Sequence, residues 1–364
     1  MSGCVIISNN TIKRIFYLDQ LRALAIIAVV LIHVSLVYLA SSRIDIHSFD
    51  WFVSNVFYSM CRFCVPIFLM ISGILLLNKD YDFIEFTKKR YTRVILPFLF
   101  WGIIYIIFSL IILNKSSSIH SFFSGLGFIE GILGGTTTVF WYVWLILLVY
   151  LFIPLMNQWI KKSSTKEIEY FLLIWLVIYA LGLLSIPSLE LRFFSLYLGF
   201  PILGYYLANK KSKILENNTL GPFLFILSVL IAVFVTTYQS FAVNETIRSI
   251  CSYQNINTVM QAVGVFLIVK NLNENESFYL KKASNFLKEG IVGRLTISLS
   301  KYSYGIFLTH MIFVNLFIKI GLLNIDRSAI KWIPFITIIC LILTWGMLFV
   351  LGKISQLKKF TGAH

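Results

Sequence analysis

Three ionisable residues interrupt an apolar run near the start of the chain, YLDQLRALAIIAVVLIH from Tyr17 to His33: Asp19, Arg22 and His33. Inside a bilayer-crossing helix such groups cost about 2.5–3.5 kcal/mol each on insertion scales, so they stand there for a function or for a partner. Arg22 and His33 are eleven residues apart. That is close to three helical turns, which sets both on one face roughly 16 Å apart along the axis. Asp19 lies one turn before Arg22 on that face. An acid, a cation and an imidazole along one wall can hold an anionic substrate and move a proton. The plainer readings are a packing histidine bonded to a neighbouring carbonyl, and an Asp19–Arg22 ion pair at the interface with Arg22 snorkelling.

Other residues join this set. Arg90 and Arg93 are one turn apart at the mouth of the third apolar segment. There they read as lying at a helix N-terminus, where the backbone dipole also favours anions. Guanidinium forks suit phosphate, whereas the adjacent Lys88 and Lys89 read as topology charges near lipid headgroups. Arg62 falls near the middle of the second segment and needs a partner or water. It either holds a substrate anion or pairs with Asp19 or Glu130. Downstream, Pro66 and Ser72-Gly73 loosen the helix and let backbones approach, and Ser72 or a tyrosine can orient an imidazole. Trp141 and Tyr142 open the fourth segment, as belt aromatics or as a stacking surface for a sugar. His310, roughly 13 Å along its helix from Lys301, is either a core residue or a support for the site. Five cysteines (Cys4, Cys61, Cys64, Cys251, Cys340) form no metal or disulfide framework, and no metal is expected.

The elements that position these residues are membrane helices. The 364 residues are 58% hydrophobic and only 13% charged, and the mean hydropathy is +0.84. Apolar segments recur near 15–40, 51–77, 92–113, 138–159, 168–185, 192–208, 220–238, 256–271, 302–323 and 332–352. Their lengths predict an all-α polytopic membrane protein of about ten transmembrane helices. The Gly-rich stretch 120–137 is too short to span and reads as an external loop with a re-entrant piece. Placing the N-terminus in the cytosol puts about two-thirds of the 31 lysines and arginines on the inner side. Both termini are then cytosolic. Basic residues grouped this way set topology, so the net charge of +15 does not imply nucleic acid. No small-residue cleavage site follows the first segment, which is expected to be retained. A single membrane-embedded domain over 1–364 is expected, with 272–300 a linker and no appended soluble domain.

The constellation resembles integral-membrane acyltransferase family 3. The matching residues are the LDxLR opening (Leu18, Asp19, Leu21, Arg22), the R-x10-H from Arg22 to His33, and the R-x-x-R of Arg90 and Arg93. VPIFLMISG (Val65–Gly73), Trp141-Tyr142 with Pro154, and SYGIFLTH (Ser303–His310) match as well. RFCVPIFLMISG is most similar to sugar O-acetyltransferases of the enterobacterial common antigen type. The resemblance implies transfer of an acyl group, usually acetyl, from cytosolic acyl-CoA to a sugar hydroxyl of a glycan or lipid-linked intermediate. It implies a multi-pass protein of the bacterial cytoplasmic membrane. It also implies His33 as the essential histidine and Arg22, Arg90 and Arg93 as residues serving the donor. On the residues themselves, His33 acts either as general base, with Asp19 in support, or as acyl carrier. Arg62, Ser72, Trp141, Tyr142 and His310 remain the substrate-side candidates. An exporter or flippase of a glycan or lipid-linked sugar would use the same intramembrane charges, but the hydropathy pattern shows no inverted repeat. Acceptor identity and homo-oligomerisation stay open.

Overall fold

The computed structural model describes residues 5–8, 11–112, 139–182, 192–275 and 278–363. The Gly-rich stretch 120–137, with Glu130, lies outside them. A short antiparallel hairpin, β1 (Val5–Ser8) paired with β2 (Thr11–Arg14), precedes the helices, with Val5 opposite Arg14. Then follow α1 (Phe16–Leu39), α2 (Phe49–Ser59), α3 (Cys64–Leu76), α4 (Phe83–Ile111), α5 (Trp141–Lys162) and α6 (Thr165–Gly182). The remaining helices are α7 (Arg192–Asn209), α8 (Leu220–Val243), α9 (Ile256–Glu274), α10 (Phe278–Lys288), α11 (Gly290–Lys319) and α12 (Ala329–Leu351).

Among the described residues, each apolar segment falls largely on helix. Among the described residues, six helical stretches are long and apolar enough to cross a membrane: Phe16–Leu39, Phe49–Leu76, Phe83–Ser109, Trp141–Lys162, Leu220–Val243 and Ala329–Leu351. The chain is therefore helical and multi-pass. The other four segments fall on α6, α7, α9 and α11. Of these, α9 is rich in buried polar groups, Asn257, Gln261, Lys270 and Asn271 among them, so protein rather than lipid surrounds much of it.

Three elements differ from expectation. The second segment is broken at residues 60–63, and Arg62 sits in the break between α2 and α3. Pro66, in the first turn of α3, costs no internal hydrogen bond there. The third segment starts earlier than its hydropathy suggests. Asp82 caps α4 by accepting from the Glu85 amide at 2.9 Å, so Arg90 and Arg93 lie in the third turn, beyond the reach of the terminal dipole. The supposed linker 272–300 is mostly helix, comprising the end of α9, the amphipathic α10 and the start of α11.

Two compact units emerge, Met1–Asp80 with Phe152–Ser300, and Tyr81–Leu151 with Lys301–His364; the boundaries fall just before α4 and within α5 and α11. In the first unit α1 packs on α2 and α3, α3 on α7, and α8 on α9. The α3–α7 approach depends on Gly73: a Cβ there would stand 1.8 Å from the Pro201 carbonyl oxygen. In the second unit, Tyr304 of α11 donates to the Val94 carbonyl of α4 at 2.9 Å, and Tyr91 of α4 donates to that of Leu147 in α5 at 2.9 Å. The C-terminal turn closes on α4 through Trp101, whose indole donates to the Phe360 carbonyl at 3.1 Å.

Candidate active site

Helix α1 carries the densest set of candidates. Asp19 lies in its first turn, where free backbone amides favour a carboxyl group, and it is wholly buried. The Ser300 hydroxyl donates to its Oδ1 at 2.6 Å. Beside it the Asn273 amide donates to the Gln20 carbonyl oxygen at 2.5 Å, and Ser284 donates to Asn273 Oδ1 at 3.4 Å. These bonds tie the N-terminal end of α1 to α9, α10 and the start of α11. A cavity of about 580 Å³ opens at the same end, lined by Tyr17, Asn78, Lys79, Tyr205, Asn273 and Lys288 among others. Asp19, Arg22 and His33 do not line it.

Farther along α1, Arg22 and His33 are both half-buried. Their sequence neighbours Leu21, Ala23, Ile32 and Val34 are buried. Ile27, Leu31, Leu36 and Val37 are half-buried as well and Leu24 is exposed, so Arg22 and His33 lie among the partly accessible residues of α1.

Arg62, in the break between α2 and α3, is only 8% exposed. Its guanidinium lies 3.8 Å from the Tyr253 ring centroid and 5.1 Å from that of Tyr58, and Nη1 donates to the Tyr58 hydroxyl at 3.3 Å. Nε has no hydrogen-bond partner among the described residues. Of the two expected structural pairings, the one with Asp19 does not form, Asp19 being bonded to Ser300, and the one with Glu130 lies outside the described residues. Ring contacts supply about 0.5–2 kcal/mol each, whereas burying an ion costs several kcal/mol. Among the described residues, the two tyrosines alone leave this cation under-compensated. Ser72 on α3 is half-buried and donates to the Phe68 carbonyl at 3.0 Å.

In the second unit Arg93 is exposed and Arg90 is half-buried. The Arg90 guanidinium stands over Phe86 at 5.8 Å, and Phe86 stacks on Tyr81 at 4.4 Å. Burial pushes the Tyr81 phenol up to about 12, with Arg90 pulling it the other way. The Tyr81 hydroxyl has no partner among the described residues, so a further donor stands near the arginine. Tyr142 is buried, its ring 5.0 Å from Phe307, while Trp141 is half-buried. A stacking surface at the start of α5 would therefore be that of Trp141. His310 is wholly buried; its Nδ1 lies 3.0 Å and 2.8 Å from the Ile306 and Phe307 carbonyls of its own helix. Cys340 of α12 closes over it, donating to the His310 carbonyl at 3.5 Å.

The first unit thus gathers Asp19, Arg22, His33, Arg62 and Ser72, and the second holds Arg90, Arg93, Trp141, Tyr142 and His310. Sequence reasoning gave no role to Ser300, Tyr58, Tyr253 or Tyr81. No spacing could have linked Ser300 to Asp19, 281 positions away, whereas Tyr58 stands one helical turn before Arg62 and that neighbour was legible.

No curated protein and no solved structure matches the chain. A family model described as an acyltransferase domain matches residues 15–351, from the threshold of α1 to the last residue of α12. That span includes every candidate named above, and so the chain belongs to acyltransferase family 3 and is a membrane-embedded acyltransferase.

Proposed function

We propose that this enzyme is an O-acyltransferase of the bacterial cytoplasmic membrane, with ten spans and both termini in the cytosol. It moves an acyl group, acetyl foremost, from cytosolic acyl-CoA to a sugar hydroxyl of a cell-surface glycan or its lipid-linked precursor. Arg90 and Arg93 hold the donor's phosphates, and Arg22 meets the donor at the entrance to α1. The pantetheine arm then has roughly 16 Å of helix to cover before the thioester reaches His33. His33 takes the proton of the sugar hydroxyl as its oxygen attacks the thioester carbonyl. The C–S bond breaks, and the departing CoA thiolate recovers the proton from the imidazolium. The observation that supports this reading is the state of α1, where Arg22 and His33 are both half-buried on the helix whose first turn is fixed through Asp19 and Ser300.

The test uses purified protein in lipid with labelled acetyl-CoA, comparing wild type with His33→Ala. Label should leave CoA in the presence of a crude glycan extract, and the variant should lose this turnover while remaining folded. A folded wild-type protein that neither binds nor turns over any acyl-CoA would instead favour an exporter or flippase.

A further inference from the structure

The loop that joins α8 to α9, residues 244–255, is pinned by side chains. Trp51 donates through its indole to the Thr246 hydroxyl at 3.0 Å, and Thr246 donates to the Leu39 carbonyl at the end of α1 at 3.0 Å. The Ile247 amide donates to Ser240 at 2.9 Å, Thr258 donates to the Ser252 carbonyl at 2.9 Å, and Tyr179 donates to that of Tyr253 at 3.3 Å. Two side chains of this fixed loop reach the Arg62–Tyr58 pair. The Tyr253 ring lies 3.8 Å from its guanidinium, and the Arg248 guanidinium stands 5.9 Å from the Tyr58 ring that Arg62 also faces. The Tyr58 ring thus has two guanidinium groups near it, at 5.1 Å and 5.9 Å.

Neither arginine has a carboxylate within ion-pair distance among the described residues. Among the described residues the buried Arg62 Nε has no hydrogen-bond partner, and Arg248 is half-exposed. The depth of the cluster matters too. Thr246 ties Trp51 to Leu39, so α1 and α2 share that end. Tyr58 lies seven residues down α2 from Trp51, or roughly 10 Å; His33 lies six residues back along α1 from Leu39, or roughly 9 Å. The two helices pack together, which brings the cluster close to the depth of the reacting histidine.

We propose that Arg62 and Arg248, framed by Tyr58 and Tyr253, bind an oxyanion carried by the acyl acceptor, so that this enzyme acts on a negatively charged sugar. The anion is a carboxylate on the sugar ring or a phosphate at its anomeric carbon. It docks against the half-exposed Arg248 and is completed by the buried Arg62, holding the acceptor with its hydroxyl near His33. This assignment rests on the acyl transfer proposed above, and it adds a charge requirement to the acceptor side alone.

The experiment reads binding without donor or turnover, so it can fail while acyl transfer stands, and the reverse. The full chain is placed in nanodiscs of phosphatidylcholine, and its melting is followed against glucose 1-phosphate, methyl glucuronide and the neutral methyl glucoside. One or both anionic sugars should raise Tm and methyl glucoside should not. Arg248→Gln, at a half-exposed position, should raise the half-saturating concentration at least tenfold. Arg62→Lys, which keeps the charge but loses the fork, should do the same if it folds. Arg90→Ala with Arg93→Ala should retain the response, which separates this site from the donor's. An equal response to charged and neutral sugars, or an unchanged response in Arg248→Gln, overturns the proposal. Stabilisation by phosphatidylglycerol nanodiscs that Arg248→Gln abolishes, with no sugar response, would assign the site to a lipid headgroup and overturn the acceptor assignment.

Discussion

His33 in the first unit and His310 in the second are the same signal in the sequence, a lone imidazole in an apolar run. Their surroundings differ. His310 is wholly buried, with Nδ1 over two carbonyls of its own turn and Cys340 closing over its backbone. His33 is half-buried between buried neighbours on the helix whose N-terminal end Ser300 and Asn273 hold in place. A histidine closed in by its own helix stabilises packing, whereas one left open on a fixed helix can meet a substrate. The difference lies in what the other helices bring, which periodicity does not record.

Replacing each imidazole gives the largest expected effect. His33→Ala should lower acyl transfer by about 10²–10⁴-fold, the usual contribution of a general base, with little change in Tm. His310→Ala should do the opposite, destabilising the fold by about 1–3 kcal/mol through the lost packing and backbone bonds and lowering Tm with it, while turnover per folded molecule changes little. Thermal melting and acyl-CoA turnover on the same preparations decide it. A catalytic loss in His310→Ala as deep as that of His33→Ala would erase the contrast.

The arginines extend the contrast to how each unit would meet an anion. Charge-assisted hydrogen bonds contribute about 1.5–3 kcal/mol each, so Arg90→Ala with Arg93→Ala should raise the KM for acyl-CoA about a hundredfold while kcat falls less. An unchanged KM removes these residues from the donor site. Because α4 begins at Asp82 rather than beside the arginines, nothing of this effect is owed to a helix N-terminus. That start was legible: Asp82 and Glu85 form the acid-x-x-acid signature of a helix opening. Lys88, Lys89 and Arg90 lower the hydropathy of the segment's first turns and displaced its apparent boundary. The same dilution made a linker of 272–300, where α10 has its apolar residues on a helical period among lysines. By contrast α1, unbroken in hydropathy, was readable to within a residue at either end.

A smaller effect is expected at Asp19, whose place on α1 was legible and whose partner was not. Ser300→Ala removes the hydroxyl that donates to a buried carboxyl, a loss of about 1–3 kcal/mol. Melting should fall accordingly, and turnover should fall only as far as α1 shifts. If Ser300→Ala instead lowers kcat as deeply as His33→Ala with Tm unchanged, Asp19 acts in the chemistry itself rather than in fixing the helix.

The smallest effect expected concerns the turn after α3, where one segment is held in two ways. Asn157, buried, accepts from the Lys79 amide at 3.1 Å and donates to the Lys79 carbonyl at 2.8 Å. Next to it Lys161 pairs with Asp80, and that aspartate is fully exposed. The hydrogen bond and charge of Lys161 hold the Asp80 carboxyl below its ordinary range. A carboxyl group lowered in the folded state stabilises the fold above its unfolded pKa, near 3.9, and that contribution fades as pH falls through the folded value. The pair is therefore fully formed at pH 7, yet solvent screens it. Lys161→Gln should leave Tm within a degree or so of wild type at pH 7, and that small difference should shrink as the pH is lowered below the ordinary carboxyl range. Asn157→Ala strands two backbone groups and should destabilise the fold by about 1–3 kcal/mol at neutral and acid pH alike, lowering Tm in both. A Tm loss in Lys161→Gln that matched Asn157→Ala at pH 7 and vanished in acid would show that charge, not the buried amide, holds this turn.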